Sequence, residues 1–230
     1  MTTSAFPLGP VERRVLGCLV EKHLATPDYY PMTLKALVAA ANQKNNRDPV
    51  MSLTDEVVEQ AIHSLQRQGF VMAIKADTGW ATRFRHELDR KPGISVKEQA
   101  ILCELLLRGP QTEGELRTRA SRMCTFEDME TVQENLQHLR EFTPPLAVRL
   151  SPDGAMRGVR HAHLLYPEEE LAQVIVEGAT SREPHVVHVP APPEAGPELV
   201  ARVAALEARL AAVEGFLSRE LGMKPDGTSE

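Results

Sequence analysis

One order of elements is written twice in this chain, and that repetition constrains the fold more than any other feature. VERRVLGCLVEKHL (11–24) places Val11, Val15, Cys18, Leu19 and Val20 on one helical face, with Pro10 just ahead, where a missing N–H costs nothing. After the turn-rich ATPDYYP, TLKALVAAAN (33–42) repeats the period with Leu34, Leu37, Val38 and Ala41. Thr54 or Ser52 then caps TDEVVEQAIHSLQRQG, with Val58, Ala61, Ile62 and Leu65 inward and Gly69 as the stop. The period next falls to two, so FVMAIKAD and ATRFRHEL read as a hairpin around TGW.

VKEQAILCELLLRG (96–109) begins the second copy. Val11/Val96, Leu16/Ile101 and Cys18/Cys103 each lie 85 residues apart. TEGELRTRA (112–120) takes the second helix position. VQENLQHL (132–139) takes the third, with Val58/Val132, Ile62/Leu136 and Leu65/Leu139 at an offset of 74. LAVRLSPDGAMRGVRHAHLL (146–165) supplies a second hairpin around Asp153-Gly154. Three helices followed by a hairpin is the order of a winged helix-turn-helix. A duplicated order with apolar positions in register predicts two of them in tandem, a mainly α chain with small β-hairpins (α+β).

The domain boundaries follow. Residues 1–91 form the first winged helix, 92–178 the second, 179–197 a Pro-rich linker, 198–222 an amphipathic helix and 223–230 a disordered tail. In the fourth segment, Leu199, Val203, Leu206, Leu210, Val213 and Leu217 make an a/d seam over nearly three heptads. It serves either self-association as a coiled coil or packing back onto the body, and the expected assembly is a homodimer. No stretch is apolar enough to span a membrane, and no basic-then-apolar leader is seen, so a cytoplasmic location without membrane contact is expected. Cys18, Cys103 and Cys124 lack CxxC spacing and fit reduced, buried thiols.

PVERRVLGCLVEKHLATPDYYPMTLKALVAAANQKNNRDPVM, then SVKEQAILCELLLRGPQTEGELR and an RMCTF segment, resemble the YceH family of uncharacterised bacterial proteins. The resemblance runs from about Gly9 to Pro167, and NQKNNRDPV is its most distinctive portion. It implies tandem winged helices and a C-terminal heptad helix, and it implies no enzyme activity and no ligand.

Charge decides where a nucleic acid can be sought. Residues 1–91 carry 12 Lys and Arg against 10 Asp and Glu, residues 92–178 carry 9 against 14, and residues 179–230 carry 5 against 8. Only the first third is net positive. Its third helix points Glu56, Gln60, His63 and Arg67 outward; Gln60 suits adenine, and Arg67 suits guanine or a phosphate. Asp55, Glu56 and Glu59 oppose a phosphate there and also read as ordinary stabilisers of a helix dipole. Lys75, Arg83 and Arg85 flank the hairpin and join Arg90, Lys91 and the loop residues Lys44 and Arg47 as a candidate basic rim for backbone contacts, with modest sequence reading from Asn45, Asn46 or Gln60. That loop reads either as a structural turn or as a phosphate clamp, with Lys44 and Arg47 facing outward or back into the domain. The third helix of the second copy, within EDMETVQENLQHLRE (127–141), carries five acids and one Arg and is not expected to enter DNA.

Other chemistry is thin. His161 and His163 lack a third ligand, and His185 and His188 fall in the linker, so no metal site is expected. Cys18 and His23 are five apart on one helix and do not face each other. GxGxxG, P-loop and GxSxG patterns are absent, and no cofactor is implied. Trp80 is either a wing anchor or a small-core residue. The expectation is a non-enzymatic DNA-binding regulator using the first winged helix and its basic wing on duplex DNA. The alternative is a protein–protein interaction module with acidic third helices, with a partner at the second winged helix and no DNA.

Overall fold

A computed structural model of the chain describes residues 6–75, 81–88, 93–151 and 158–180. The heptad positions Leu199 to Leu217, the linker with His185 and His188, Trp80, Arg90, Lys91 and the Asp153-Gly154 turn lie outside these residues.

Seven α-helices and two small antiparallel sheets occur among the described residues. The first half runs α1 (Pro10–Ala25), a 3-10 turn (Pro27–Tyr29), β1 (Met32–Thr33), α2 (Leu34–Ala41), α3 (Asp55–Arg67), β2 (Val71–Ile74) and β3 (Arg83–His86). The second runs α4 (Val96–Arg108), β4 (Gln111–Thr112), α5 (Glu113–Ala120), α6 (Met129–Glu141), β5 (Ala147–Arg149) and β6 (Arg160–His163), followed by α7 (Glu168–Thr180). Thr33, Thr54, Ser95, Thr112 and Asp128 cap their helices with side-chain oxygens, so Thr54 rather than Ser52 begins α3. Gly69 follows α3 with a φ of 74°, a left-handed conformation natural to glycine.

The sheets are ordered β1-β3-β2 and β4-β6-β5. Each hairpin therefore gains a third strand of two residues, too short for an alternating pattern to announce. The repeat extends to individual contacts. Thr33 pairs with Arg83 and Thr112 with Arg160; Val71 pairs with His86 and Ala147 with His163. The Arg83 guanidinium donates to the Pro31 carbonyl at 2.8 Å, and that of Arg160 donates to the Pro110 carbonyl at 2.8 Å. In both sheets an arginine on the middle strand thus staples the proline preceding the edge strand.

The helix caps correct the sequence register between α1 and α4. Glu12 accepts from the Gly9 N–H at 2.5 Å and Glu98 from the Ser95 N–H at 2.6 Å, so equivalent caps lie 86 residues apart rather than 85. Apolar periodicity misleads here because neither helix has a solvent face of ordinary width. α1 is buried from Arg13 through Glu21, and α4 from Glu98 through Leu107. The two pack on each other more extensively than any other helix pair described, and one continuous core takes in residues of both halves. At Gly17 a Cβ would come 2.8 Å from Leu107 Cδ2, so glycine allows this approach. The Cys103 thiol completes the contact by donating to the Gly17 carbonyl at 3.3 Å.

Burying α1 on every side also buries its charges. Glu21 holds Arg47 through two bonds, at 2.6 and 3.1 Å, and also receives Arg122 from the second half. Arg122 continues to Glu104 of α4 at 2.6 Å. Arg13 forks onto Glu170 of α7 at 2.9 and 2.5 Å and lies over the Tyr166 ring, 4.4 Å from its centre. α7 is legible afterwards in the acids that follow Pro167 and in Leu171 and Val174, both buried at helical spacing.

Burial by itself would raise Glu21, but Arg47 and Arg122 outweigh it and hold the carboxyl at about 2. A depressed carboxyl contributes stability that is present above its ordinary value of 4.5 and is lost as pH falls toward 2. Urea unfolding of Glu21→Gln should therefore show a loss of about 3–5 kcal/mol at neutral pH, with a weaker acid dependence between those limits than in the native chain. Arg83→Ala and Arg160→Ala should each cost about 1 kcal/mol in the same measurement, as matched staples require.

Candidate nucleic-acid interface

α3 forms the spine of the site. Its inward stripe of Val58, Ala61, Ile62 and Leu65 is buried, which turns Glu56, Gln60, His63 and Arg67 to the exterior, all four exposed. Glu56 stands as an anion on this stripe and opposes a phosphate there. Its own backbone N–H and the Thr54 hydroxyl hold the carboxyl below the usual range, which keeps it ionised. Beside the helix, a groove of about 720 Å³ runs between α3 and the first sheet, lined among others by Lys35, Asp55, Glu59, His63 and Phe84.

The loop between α2 and α3 is a brace. The Asn42 side chain accepts from the Leu53 N–H at 2.7 Å and donates to its carbonyl at 2.8 Å, closing the loop at its base. Asn46 has a φ of 60°, and its side chain accepts from Arg108 of α4 at 2.6 Å. Arg47 turns inward: it is 5 % exposed and also donates to the carbonyls of Ala40, at 3.1 Å, and Asn46, at 2.8 Å. The Asp48 N–H donates to the Leu107 carbonyl at 2.9 Å. Arg47 is thereby removed from the candidate rim, because Glu21 would otherwise be a buried charge without its main partner. Lys44 and Asn45 are exposed.

Two hairpin cations have internal partners as well. Arg83 is exposed but holds Pro31, and Arg85 pairs with Glu87 at 2.9 Å. Lys75, at the end of β2, is exposed. Lys35, in the first turn of α2, carries no signal in the sequence, where a single lysine beside Leu34 makes no pattern. It is exposed and lines the same groove as His63. Among the described residues, the exposed cations around α3 are thus Lys35, Lys44, Arg67, Lys75 and the stapled Arg83.

The second half shows what this surface looks like without them. At the offset of 74, Glu56, Gln60, His63 and Arg67 correspond to Glu130, Glu134, Gln137 and Glu141, all exposed. That stripe has three carboxylates and no cation. Asp128 at its cap is committed to Thr131, and Glu127 to Lys97. Among the described residues no cluster of three His, Cys, Asp or Glu side chains is placed to hold a metal ion, and no helix is long and apolar enough to cross a membrane.

Residues 8–155, which span both halves as far as β5, match the family described as "Protein of unknown function, DUF480". A UPF0502 protein of Geobacter sulfurreducens is 52% identical over 165 residues, covering 72% of this chain and 75% of the relative. The UPF0502 protein of Koribacter versatilis is 45% identical over 170 residues, 74% of this chain and 79% of the relative. That of Aeromonas hydrophila is 39% identical over 215 residues, 90% of this chain and 98% of the relative. The matched span contains Glu21, Arg47, Glu104 and Arg122, the ion network that joins the two halves. The chain belongs to this DUF480/UPF0502 family of bacterial proteins, a membership with which its resemblance to YceH is consistent.

Proposed function

We propose that this protein is a non-enzymatic, DNA-binding regulator built from two tandem winged helix-turn-helix domains, of which the first presents α3 and its sheet to a duplex. Each half has the order helix, short strand, helix, helix, hairpin, which suits a third helix lying in the major groove with the sheet beside it. The observation that carries the reading is the contrast between equivalent stripes. α3 offers Gln60, His63 and Arg67, whereas α6 offers Glu130, Glu134 and Glu141. Phosphate attraction dominates affinity for a duplex, so only the first half suits it. In this reading Gln60 and Arg67 approach base edges, and Lys35, Lys44, Lys75 and the outer face of Arg83 approach phosphates. Asn45 sits beside Lys44 in the same role. Arg47 and Asn46 act indirectly, by holding the loop.

The acidic stripe of α6 favours a second reading for the other half: a surface for a protein partner that leaves DNA alone. The heptad positions Leu199, Val203, Leu206, Leu210, Val213 and Leu217 are proposed to join two copies, which would present two first halves to one duplex.

A salt titration of the full chain against mixed-sequence duplex tests the proposal. Affinity should fall steeply with salt. Lys44→Ala combined with Lys75→Ala should lower the slope of log affinity against log salt by about 2. Binding that is unmeasurable at low salt, or a slope indifferent to that pair, would sink the proposal. Glu134→Gln should leave duplex affinity unchanged, and a changed value would place α6 at the duplex. Light scattering of Leu206→Glu with Leu210→Glu should show a smaller oligomer than the native chain.

A further inference from the structure

The two halves differ at one position, where a histidine of the first half has a glycine as its counterpart in the second. His86 and His163 are equivalent, and each accepts on Nδ1 from the N–H two residues on, Leu88 at 3.2 Å and Leu165 at 3.1 Å. That bond assigns the ring proton to Nε2 in both. In the first half, Nε2 of His86 meets Nδ1 of His23 on α1 at 2.8 Å. The equivalent of His23, 86 residues on, is Gly109, which has no side chain to accept anything. Tyr166 takes part of the space. Its ring stacks on His163 with centres 4.0 Å apart, and its hydroxyl lies 3.8 Å from where a Cβ on Gly109 would stand.

What remains is a small cavity lined by Arg13, Arg14, Asp48, Gly109, His163 and Tyr166, among others. Its volume, about 20 Å³, admits one particle of the size of a water molecule. Arg14 is 1 % exposed. It donates to the carbonyls of Ala41 at 3.1 Å and Pro49 at 2.5 Å, forms no ion pair among the described residues, and leaves Nε without a hydrogen-bond partner. Burial lowers its pKa to about 10, so it remains a cation at neutral pH. A buried guanidinium without a counter-ion is expensive. Arg13, the second cation of the lining, is held by Glu170.

Several nearby acceptors are already used. At the end of α4 the carbonyl of Glu104 takes Gln111 at 2.9 Å, that of Leu105 takes the Gly109 N–H at 2.9 Å, and that of Leu107 takes Asp48. Burial, reinforced by Arg13, keeps His163 neutral, and burial keeps the Tyr166 hydroxyl protonated, so both remain donors. Asp48, the one carboxylate of the lining, is exposed to solvent. A water molecule accepts two hydrogen bonds and brings no charge. An anion accepts from every donor and neutralises Arg14.

We propose that this cavity binds one small monovalent anion of halide size, received by Arg14, His163 and Tyr166 at the joint between the two halves. The occupant links α1 of the first half to β6 and Tyr166 of the second. This assignment does not depend on DNA binding.

Thermal unfolding of the full chain at fixed ionic strength tests it, with sodium bromide exchanged for sodium gluconate, whose anion is too large for the cavity. Bromide at about 0.3 M should raise the midpoint by about 2–4 °C. Tyr166→Phe, which removes only a hydroxyl, should shrink the rise. Asp48→Asn should enlarge it by removing a competing charge. Arg14→Met should abolish it where that variant folds, and the other two variants decide the matter where it does not. Crystals grown in bromide should show one anomalous peak beside Arg14 and His163. A rise that is absent, or equal in the native chain, Tyr166→Phe and Asp48→Asn, would overturn the proposal, as would a bromide crystal with no peak there, which would assign the cavity to water.

Discussion

Glu21 is the charge on which the rest of the structure turns. It sits in the middle of a helix with no solvent face and is shared by Arg47 from a loop of its own half and Arg122 from a loop of the other. A buried carboxylate persists only where its partners are fixed and numerous. Here that requirement fixes two loops, and through Arg122 and Glu104 it reaches α4. The close approach of α1 and α4 at Gly17 and the placement of the α2–α3 loop against Arg108 are compatible with one arrangement of this network. The halves are thereby held as one body over the described residues, with a common core.

That demand also shapes the surface. The first half is net positive by only two charges, and several of its arginines are spent inside: Arg13 on Glu170, Arg14 on backbone carbonyls, Arg47 on Glu21. The outward face of α3 is left with lysines and Arg67 around it. Lysines suit phosphate attraction without fixed geometry, whereas the guanidiniums sit where planar, forked bonding is required.

Much of the fold could be read from the residues because helices and hairpins here obey their local rules. Thr33, Thr54, Ser95 and Thr112 cap where hydroxyls precede apolar periodicity, and Gly69 stops α3. The two-residue strands escaped because period two cannot be recognised in Met32–Thr33 or Gln111–Thr112. The register of α1 against α4 slipped by one because helices buried all round carry no amphipathic stripe. The candidate site was legible where exposure follows helix geometry, as at Gln60, His63 and Arg67. It was not legible at Arg47, Arg83 and Arg85, since a cation's partner is a property of tertiary structure. Arg47 sits among Lys44, Asn45 and Asn46, yet Glu21, 26 residues earlier, claims it.

The sharing of α1 between halves bears on the order in which the chain acquires structure. Translation delivers α1 first, with Val15, Leu16, Leu19 and Val20 ready to be covered, while Leu105, Leu106 and Leu107 arrive about 90 residues later. At a synthesis rate of about 5–20 residues per second, that interval lasts seconds. Through it, one apolar flank of a nearly complete first half stands open, and Arg47 holds a Glu21 that still lacks Arg122. Closure of that flank waits for the second copy of the chain's own pattern to emerge.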